Sequence, residues 1–369
     1  KYDISLDLIN SIENFYDKPL GVSCNVLLWI IISRYFSDYM HDTNIYEWGH
    51  KQDVLLDPEL LAPLKRVIKI YVNKNYYNYM VESVKLSNQF EEMKTIHDVN
   101  SFVKNNTDGM IKEILTKEFN VKPVGEDGDL ACFIIAEHLK ISWKNRFEMV
   151  NTKLTPFRSL KNRNVVHVPM MSKQESLPFY QHIESNRNTW KITKLVSDDQ
   201  GNDYNAIIGL PEYDTEESLK KMVQQFVQQR STYIKKMNPT LCDFKMPRVK
   251  LESGIQDMKL AASKLDDSRM ATLFSESTNP LRNLMKKEFF ENHPDAAIYI
   301  GQYKTSCALS LNEKGAEAAA AGTMVVEVVY RSISIQPTPL PFICDRAYMV
   351  AIMKDSEIYF ITTVTGELE

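Results

Sequence analysis

The 369-residue chain is short of almost everything that announces an enzyme. No G-x-S-x-G elbow, H-E-x-x-H pair, P-loop or G-x-G-x-x-G turn occurs in it, which removes the local signatures of α/β hydrolases, zinc proteases and nucleotide-binding enzymes. Its histidines, His41, His50, His97, His138, His167, His182 and His293, are scattered, and none has a partner at metal-ligand spacing. A Ser/His/Asp set could be assembled from distant residues in any chain this long, so its mere availability carries no weight. The residues assign no catalytic group, no metal and no other cofactor.

Cysteine is sparse. Cys24, Cys132, Cys242, Cys307 and Cys344 contain no C-x-x-C spacing, and an odd number cannot all pair internally. Most sit inside apolar runs such as Leu130-Ala-Cys-Phe-Ile-Ile135, which points to buried free thiols and leaves the redox compartment open. An excess of one charge is missing too. The 44 basic and 48 acidic residues are well mixed and sum to −4, so no electrostatic case arises for nucleic acid or a membrane surface. No apolar run exceeds seven residues, far too short to cross a bilayer, and one of them, Val26-Leu-Leu-Trp-Ile-Ile-Ile32, is expected to begin a buried helix. No linker, repeat or charge block divides the chain. With 44% hydrophobic residues it can bury a large core, and residues 1–369 are expected to form one domain.

What is present follows an order, helices first and strands last. Leu8, Ile9, Ile12, Phe15 and Tyr16 repeat at helical spacing and predict an amphipathic first helix. Helical segments are expected to continue up to about residue 117, with a long strand within Val121 to Phe147. Strands dominate after residue 156, interrupted by expected helices at Glu216–Phe226 and Ser253–Leu265. Segregated helices and strands argue an α+β fold.

The most telling stretch is Asn312-Glu-Lys-Gly-Ala-Glu-Ala-Ala-Ala-Ala-Gly-Thr323. Read with a strand's period of two, Ala316, Ala318, Ala320 and Gly322 share a face with Met324, Val326 and Val328, while Glu317 and Glu327 fall on the other. Such a segment can enter the middle of a sheet, where inward side chains must be small or apolar. Local composition alone also fits an Ala-rich helical turn bracketed by Gly315 and Gly322.

The neighbouring motifs decide between the two. Glu313-Lys-Gly-Ala-Glu-Ala-Ala-Ala-Ala321 closely resembles the proximal hinge of the reactive-centre loop in the serpin family, the suicide inhibitors of proteases. Pro341-Phe-Ile-Cys-Asp-Arg-Ala-Tyr-Met-Val-Ala-Ile-Met353 resembles the strand after that loop, and Ile358-Tyr-Phe-Ile-Thr-Thr-Val364 the family's terminal strand. Upstream, Val99–Val103 followed by Thr107-Asp-Gly-Met-Ile111 is similar to the helix crossing the main sheet. Trp143-Lys-Asn-Arg-Phe147 with Asn151–Phe157 is similar to the central strand and its exit. Val166-His-Val-Pro-Met-Met171, Ala206–Pro211 and Met246-Pro-Arg-Val-Lys-Leu-Glu252 complete the series in the family's order.

The resemblance implies three β-sheets, about eight or nine helices and an exposed reactive-centre loop at about 313–341. It also implies a monomer that is an inhibitor and not an enzyme. A target serine protease would cleave the loop, and the freed loop would insert as a new central strand. The implied hinge is Glu313, Gly315, Ala316, Ala318, Ala319, Ala320, Ala321 and Gly322. Family spacing from Glu313 places the scissile bond after Val329, an elastase-like site. Tyr330 would suit a chymotrypsin-like target and Arg331 a trypsin-like one.

Departures from the family pattern leave a second reading, a non-inhibitory carrier, binding protein or chaperone. Gly322 stands where Thr or Ser is usual. Leu139 and Thr305 replace an Asn and its His partner beneath the opening sheet, and Ala347 replaces a Pro. Lys65, Arg66, Lys69 and Lys74 lie where some serpins bind polyanions, but only Lys65 and Lys69 share a helical i, i+4 relation, so a solvated face is expected. The family implies an extracellular protein whose signal peptide is absent from this sequence, with a cytoplasmic site as the alternative. Secretion would make Asn105-Asn-Thr107 a glycosylation sequon.

Overall fold

The computed structural model describes residues 20–21, 64–81, 90–139, 141–184, 190–198, 204–257, 259, 268–301, 304–316 and 338–366. The expected first helix, the Val26–Ile32 run, Cys24 and residues 317–337 of the loop lie outside these. The chain divides into two compact units, one of Lys1–Leu139, Glu252–Ala308 and Ile358–Phe360, the other of Lys140–Leu251, Leu309–Glu357 and Ile361–Glu369.

In the first unit, β1 (Leu64–Val72) pairs antiparallel with β3 (Ala131–Leu139), from Leu64 opposite Leu139 to Val72 opposite Ala131. The short β2 (Phe90–Glu92) runs parallel to β1 on its other side. Helix α1 spans Ile96–Asn106. Thr95 caps its start by accepting from Asp98 N at 3.2 Å, which satisfies one free N–H of the first turn, while its own hydroxyl donates to the Asp98 carboxylate. Val99 and Val103, one turn apart, bury a stripe against Tyr71, Ile134 and Ala136. The helix stops at Thr107, whose hydroxyl donates to Val103 O at 2.9 Å and accepts from Ile111 N at 3.2 Å. Asp108 and Gly109 then both take positive φ, 51° and 78°, so the left-handed turn that ends the helix takes two residues.

Two expectations are corrected here. The region before residue 117 is not continuously helical, because the run Val67-Ile-Lys-Ile-Tyr-Val72 is rich in strand-forming residues and becomes β1. Lys65 and Lys69 therefore lie along a strand, not one helical turn apart, and Lys69 pairs with Glu91 at 3.5 Å.

The second unit is built on one large sheet. Its strands are β5 (Lys153–Arg158), β6 (Val165–His182), β7 (Trp190–Val196), β8 (Tyr204–Pro211), β9 (Asn238–Pro247), β13 (Leu340–Ile343), β14 (Tyr348–Lys354) and, apart from residues 358–360, β15 (Glu357–Val364). Their order is β15-β14-β8-β7-β6-β9-β13, with β5 also laid on β6. The Val-Pro-Met-Met motif falls in β6, where Met170 faces Pro247 and Met171 faces Met246 across the antiparallel ladder. Helix α2 (Glu216–Lys235) starts from a Thr215 cap and buries Leu219, Met222, Val223, Phe226 and Val227 on one face. Gly209 in β8 permits that helix to sit close, since a Cβ there would meet Met349 Cε at 3.0 Å and Met222 Sδ at 3.3 Å.

Four further strands are short or lie apart from this sheet: β4 (Ile141–Ser142), β10 (Val249–Asp257), β11 (Lys304–Leu311) and β12 (Gly315–Ala316). Residues 253–257 of the expected Ser253–Leu265 helix belong to β10; residue 258 and residues 260–267 lie outside the described set. The Glu216 helix runs nine residues past Phe226, to Lys235. Pro341–Met353 is two strands, interrupted at Cys344–Ala347 where Arg346 turns its guanidinium onto the Pro211 and Glu212 carbonyls. Cys242, Cys307 and Cys344 are buried free thiols and Cys132 is half-buried.

Candidate functional site

The site lies in the second unit, where β11 ends and the chain reverses. Asn312 and Gly315 close a two-residue hairpin turn, with Asn312 N donating to Gly315 O at 2.9 Å and Gly315 N to Asn312 O at 3.2 Å. Asn312 suits the corner because its Oδ1 accepts from Lys314 N at 3.0 Å, a local bond that stands in for a backbone turn. The chain leaves the turn as β12, antiparallel to β4, with Gly315 opposite Ser142 and Ala316 opposite Ile141. Gly315 and Ala316, within the stretch Asn312–Thr323, thus lie in a short ladder.

A second segment grips this turn from outside. Trp143 donates from its backbone N to Lys314 O at 3.0 Å and from its indole to Asn312 O at 2.9 Å. Phe147 N donates to Glu313 O at 2.9 Å. Trp143 is 1% exposed, so both its bonds are made out of water, where leaving them unmade is costly.

The Glu313 side chain is also buried, at 6% exposure. Its Oε1 accepts from Arg248 Nε at 2.7 Å and from Thr152 Oγ1 at 2.6 Å, and lies 2.6 Å from Arg248 Nη2. Burial alone would push the carboxyl pKa up; the bonds from Arg248 and Thr152 outweigh it and hold the group below the usual carboxylate range. Arg248 is fixed in turn, since the single residue between β9 and β10 donates its backbone N to Pro169 O at 2.9 Å.

These groups bond to one another and to backbone, and together they fix the turn. Among the described residues no cluster of His, Cys, Asp and Glu could hold a metal, and no helix is long and apolar enough to cross a membrane. Of the residues marked in the sequence, Glu313, Gly315 and Ala316 come together at the turn. Ala318, Ala319, Ala320, Ala321, Gly322, Val329, Tyr330 and Arg331 lie outside the described residues. Leu139 ends β3, and Thr305 is buried at the start of β11. Asn105 is exposed in the last turn of α1 and borders a cavity of about 560 Å3 with Tyr71, Lys94, Asp98, Ser101 and Phe102. Arg248, Thr152 and Asn312 were not marked as site residues. A buried glutamate needs a cation, but nothing in the sequence around Glu313 says that Arg248, 65 residues away, supplies it.

Comparison with known proteins converges on one family. The family model described as "Serpin (serine protease inhibitor)" matches residues 70–366. Mouse antithrombin-III is 24% identical over 385 residues, covering 95% of this chain and 75% of its own length. The structure of native protease nexin-1 with heparin superposes with a TM-score of 0.74 at 14% identity, covering 98% of this chain and 96% of that one. The complex of thyroxine-binding globulin with thyroxine gives 0.72 at 18% identity, with full coverage of both chains.

Proposed function

The chain belongs to the serpin family, a family of protease inhibitors and not of enzymes, and we propose that it is a suicide-substrate inhibitor of a serine protease. The protease attacks the loop between about residues 313 and 341 as substrate and forms an acyl-enzyme. The freed strand then inserts beside β4. About fifteen inserted residues at about 3.3 Å each would carry the tethered enzyme roughly 50 Å. A catalytic constellation displaced by even about 1 Å loses much of its rate, which would stop deacylation.

One observation carries the reading: the Asn312–Gly315 turn is closed and β12 already pairs with β4, so the strand to be inserted has its first rungs. The unbroken Ala318–Ala321 run that follows can extend them without bulk or charge. A carrier reading is kept alive by Leu139, Thr305 and Gly322, and by the likeness to a thyroxine-binding fold. Thermal unfolding before and after a trace protease nicks residues 329–331 separates the two. A rise of tens of degrees, the interval between ordinary and hyperstable folds, supports insertion; no change transfers the lead to the carrier. An extracellular site, with Asn105 glycosylated, belongs to the same proposal and is tested by the intact mass of secreted material.

A further inference from the structure

The segment that grips the hinge turn is itself held from behind. Between Trp143 and Phe147 lies Asn145, whose carbonyl accepts from Lys173 Nζ at 2.8 Å and whose side-chain amide donates to Glu175 Oε1. Lys173 Nζ lies 2.7 Å from Glu175 Oε2 and 4.6 Å from the centre of the Phe147 ring. Phe147 packs in turn on Phe244, which stands opposite Lys173 in the β6–β9 ladder. The Lys173 side chain is only 12% exposed, and burial pulls its ammonium below the ordinary lysine range, against the opposing pull of Glu175. An ammonium kept in so dry a place acts through few, strong, directed contacts. Here those contacts are a backbone carbonyl in the middle of the gripping segment and the aromatic ring at its end.

We propose that Lys173 is a positioning residue for loop insertion: by holding Asn145 and Phe147, it keeps the Asn312–Gly315 turn closed, so that the inserting strand starts from a formed hairpin. The role rests on the inhibitor reading above. Inhibition of that kind is a race between strand insertion and deacylation, and closing a turn is the entropically costly step of adding a strand. A clamp that closes the turn beforehand shortens the insertion side of the race. Loosening it lets more acyl-enzyme hydrolyse, so the chain is consumed as substrate.

The test compares wild type with Lys173→Met, Lys173→Gln and Lys173→Arg. The loop is nicked by a metalloprotease, which forms no acyl-enzyme, and the rise in thermal stability is followed with time. Separately, the inhibitor consumed per serine protease trapped is titrated with trypsin, chymotrypsin or elastase. Loss of the charge-assisted contact is expected to slow insertion about fivefold in Lys173→Met. The consumption ratio should rise alongside, with the initial association rate unchanged and Lys173→Arg near wild type. Lys173→Gln, the milder variant should Lys173→Met not fold, is expected to slow insertion about threefold. Folded variants that insert at the wild-type rate would overturn the role of Lys173 while leaving the inhibitor reading intact. A nicked wild type that gains no stability would overturn both.

Discussion

Arg248 reaches one oxygen of Glu313 from two nitrogens, Nε at 2.7 Å and Nη2 at 2.6 Å. Glu313 is buried, whereas the Arg248 side chain is 39% exposed. A fully buried pair broken on one side costs about 3–5 kcal/mol, and an exposed pair about 0–1, so Arg248→Met should cost about 2 kcal/mol. Denaturant unfolding of Arg248→Met, Glu313→Gln and the double variant measures it. The double variant should lose less than the sum of the two singles, because the second change removes a partner already lost.

The same carboxylate fixes a pH dependence. Its folded pKa is lowered, so its stabilising contribution is complete above the unfolded value, about 4.3, and is lost as pH falls through the lower folded value. The stability gap between wild type and Glu313→Gln should therefore be constant at neutral pH and narrow only under more acidic conditions. A gap that narrows between pH 7 and pH 6 would contradict this assignment.

Ala316 stands opposite Ile141 in the first ladder of the hinge. Ala316→Arg would have to carry a charge into the sheet as the strand inserts, and an unpaired buried charge is far costlier than a surface one. Its expected phenotype is conversion from inhibitor to substrate: normal cleavage of the loop, no stable complex with the protease, and no thermal gain after nicking. Electrophoresis of the reaction mixture and a melting curve check both parts.

Thr107 ends α1 with a hydroxyl that donates to Val103 O and accepts from Ile111 N. Thr107→Val keeps the shape and the backbone bond to Val103 O but strands Ile111 N, at a cost of about 1–3 kcal/mol. Thr107→Ser should restore most of it. The first change also removes the sequon at Asn105 and the second preserves it, so stability and glycan mass can be read from one pair of variants.

Much of the second unit is legible in the sequence. The Val-Pro-Met-Met run, Ala206–Pro211 and Ile358–Val364 are dense in apolar residues, and each lies within a strand of the large sheet. Errors cluster where local composition is ambivalent. Lys65 and Lys69 mimic a helical pair within what is β1, and Ser253–Asp257 continues a strand where a helix was expected. For the candidate site, the small residues Gly315 and Ala316 stand out in the sequence, but neither the Asn312–Gly315 turn nor its clamp does. Thr152 and Glu313 are 161 residues apart and Arg248 and Glu313 are 65 apart. Nothing local to one partner indicates which distant residue will neutralise it.

The indole of Trp143 gives the hinge an optical signal of its own. Its N–H is committed to the Asn312 carbonyl in a pocket closed to water, and indole emission depends on that bond and on the polarity around it. Any event that moves the turn, whether nicking, insertion or release of Arg248, should shift the fluorescence of this one tryptophan. Loop movement could then be timed in the unlabelled protein, with Trp143→Phe as the blank.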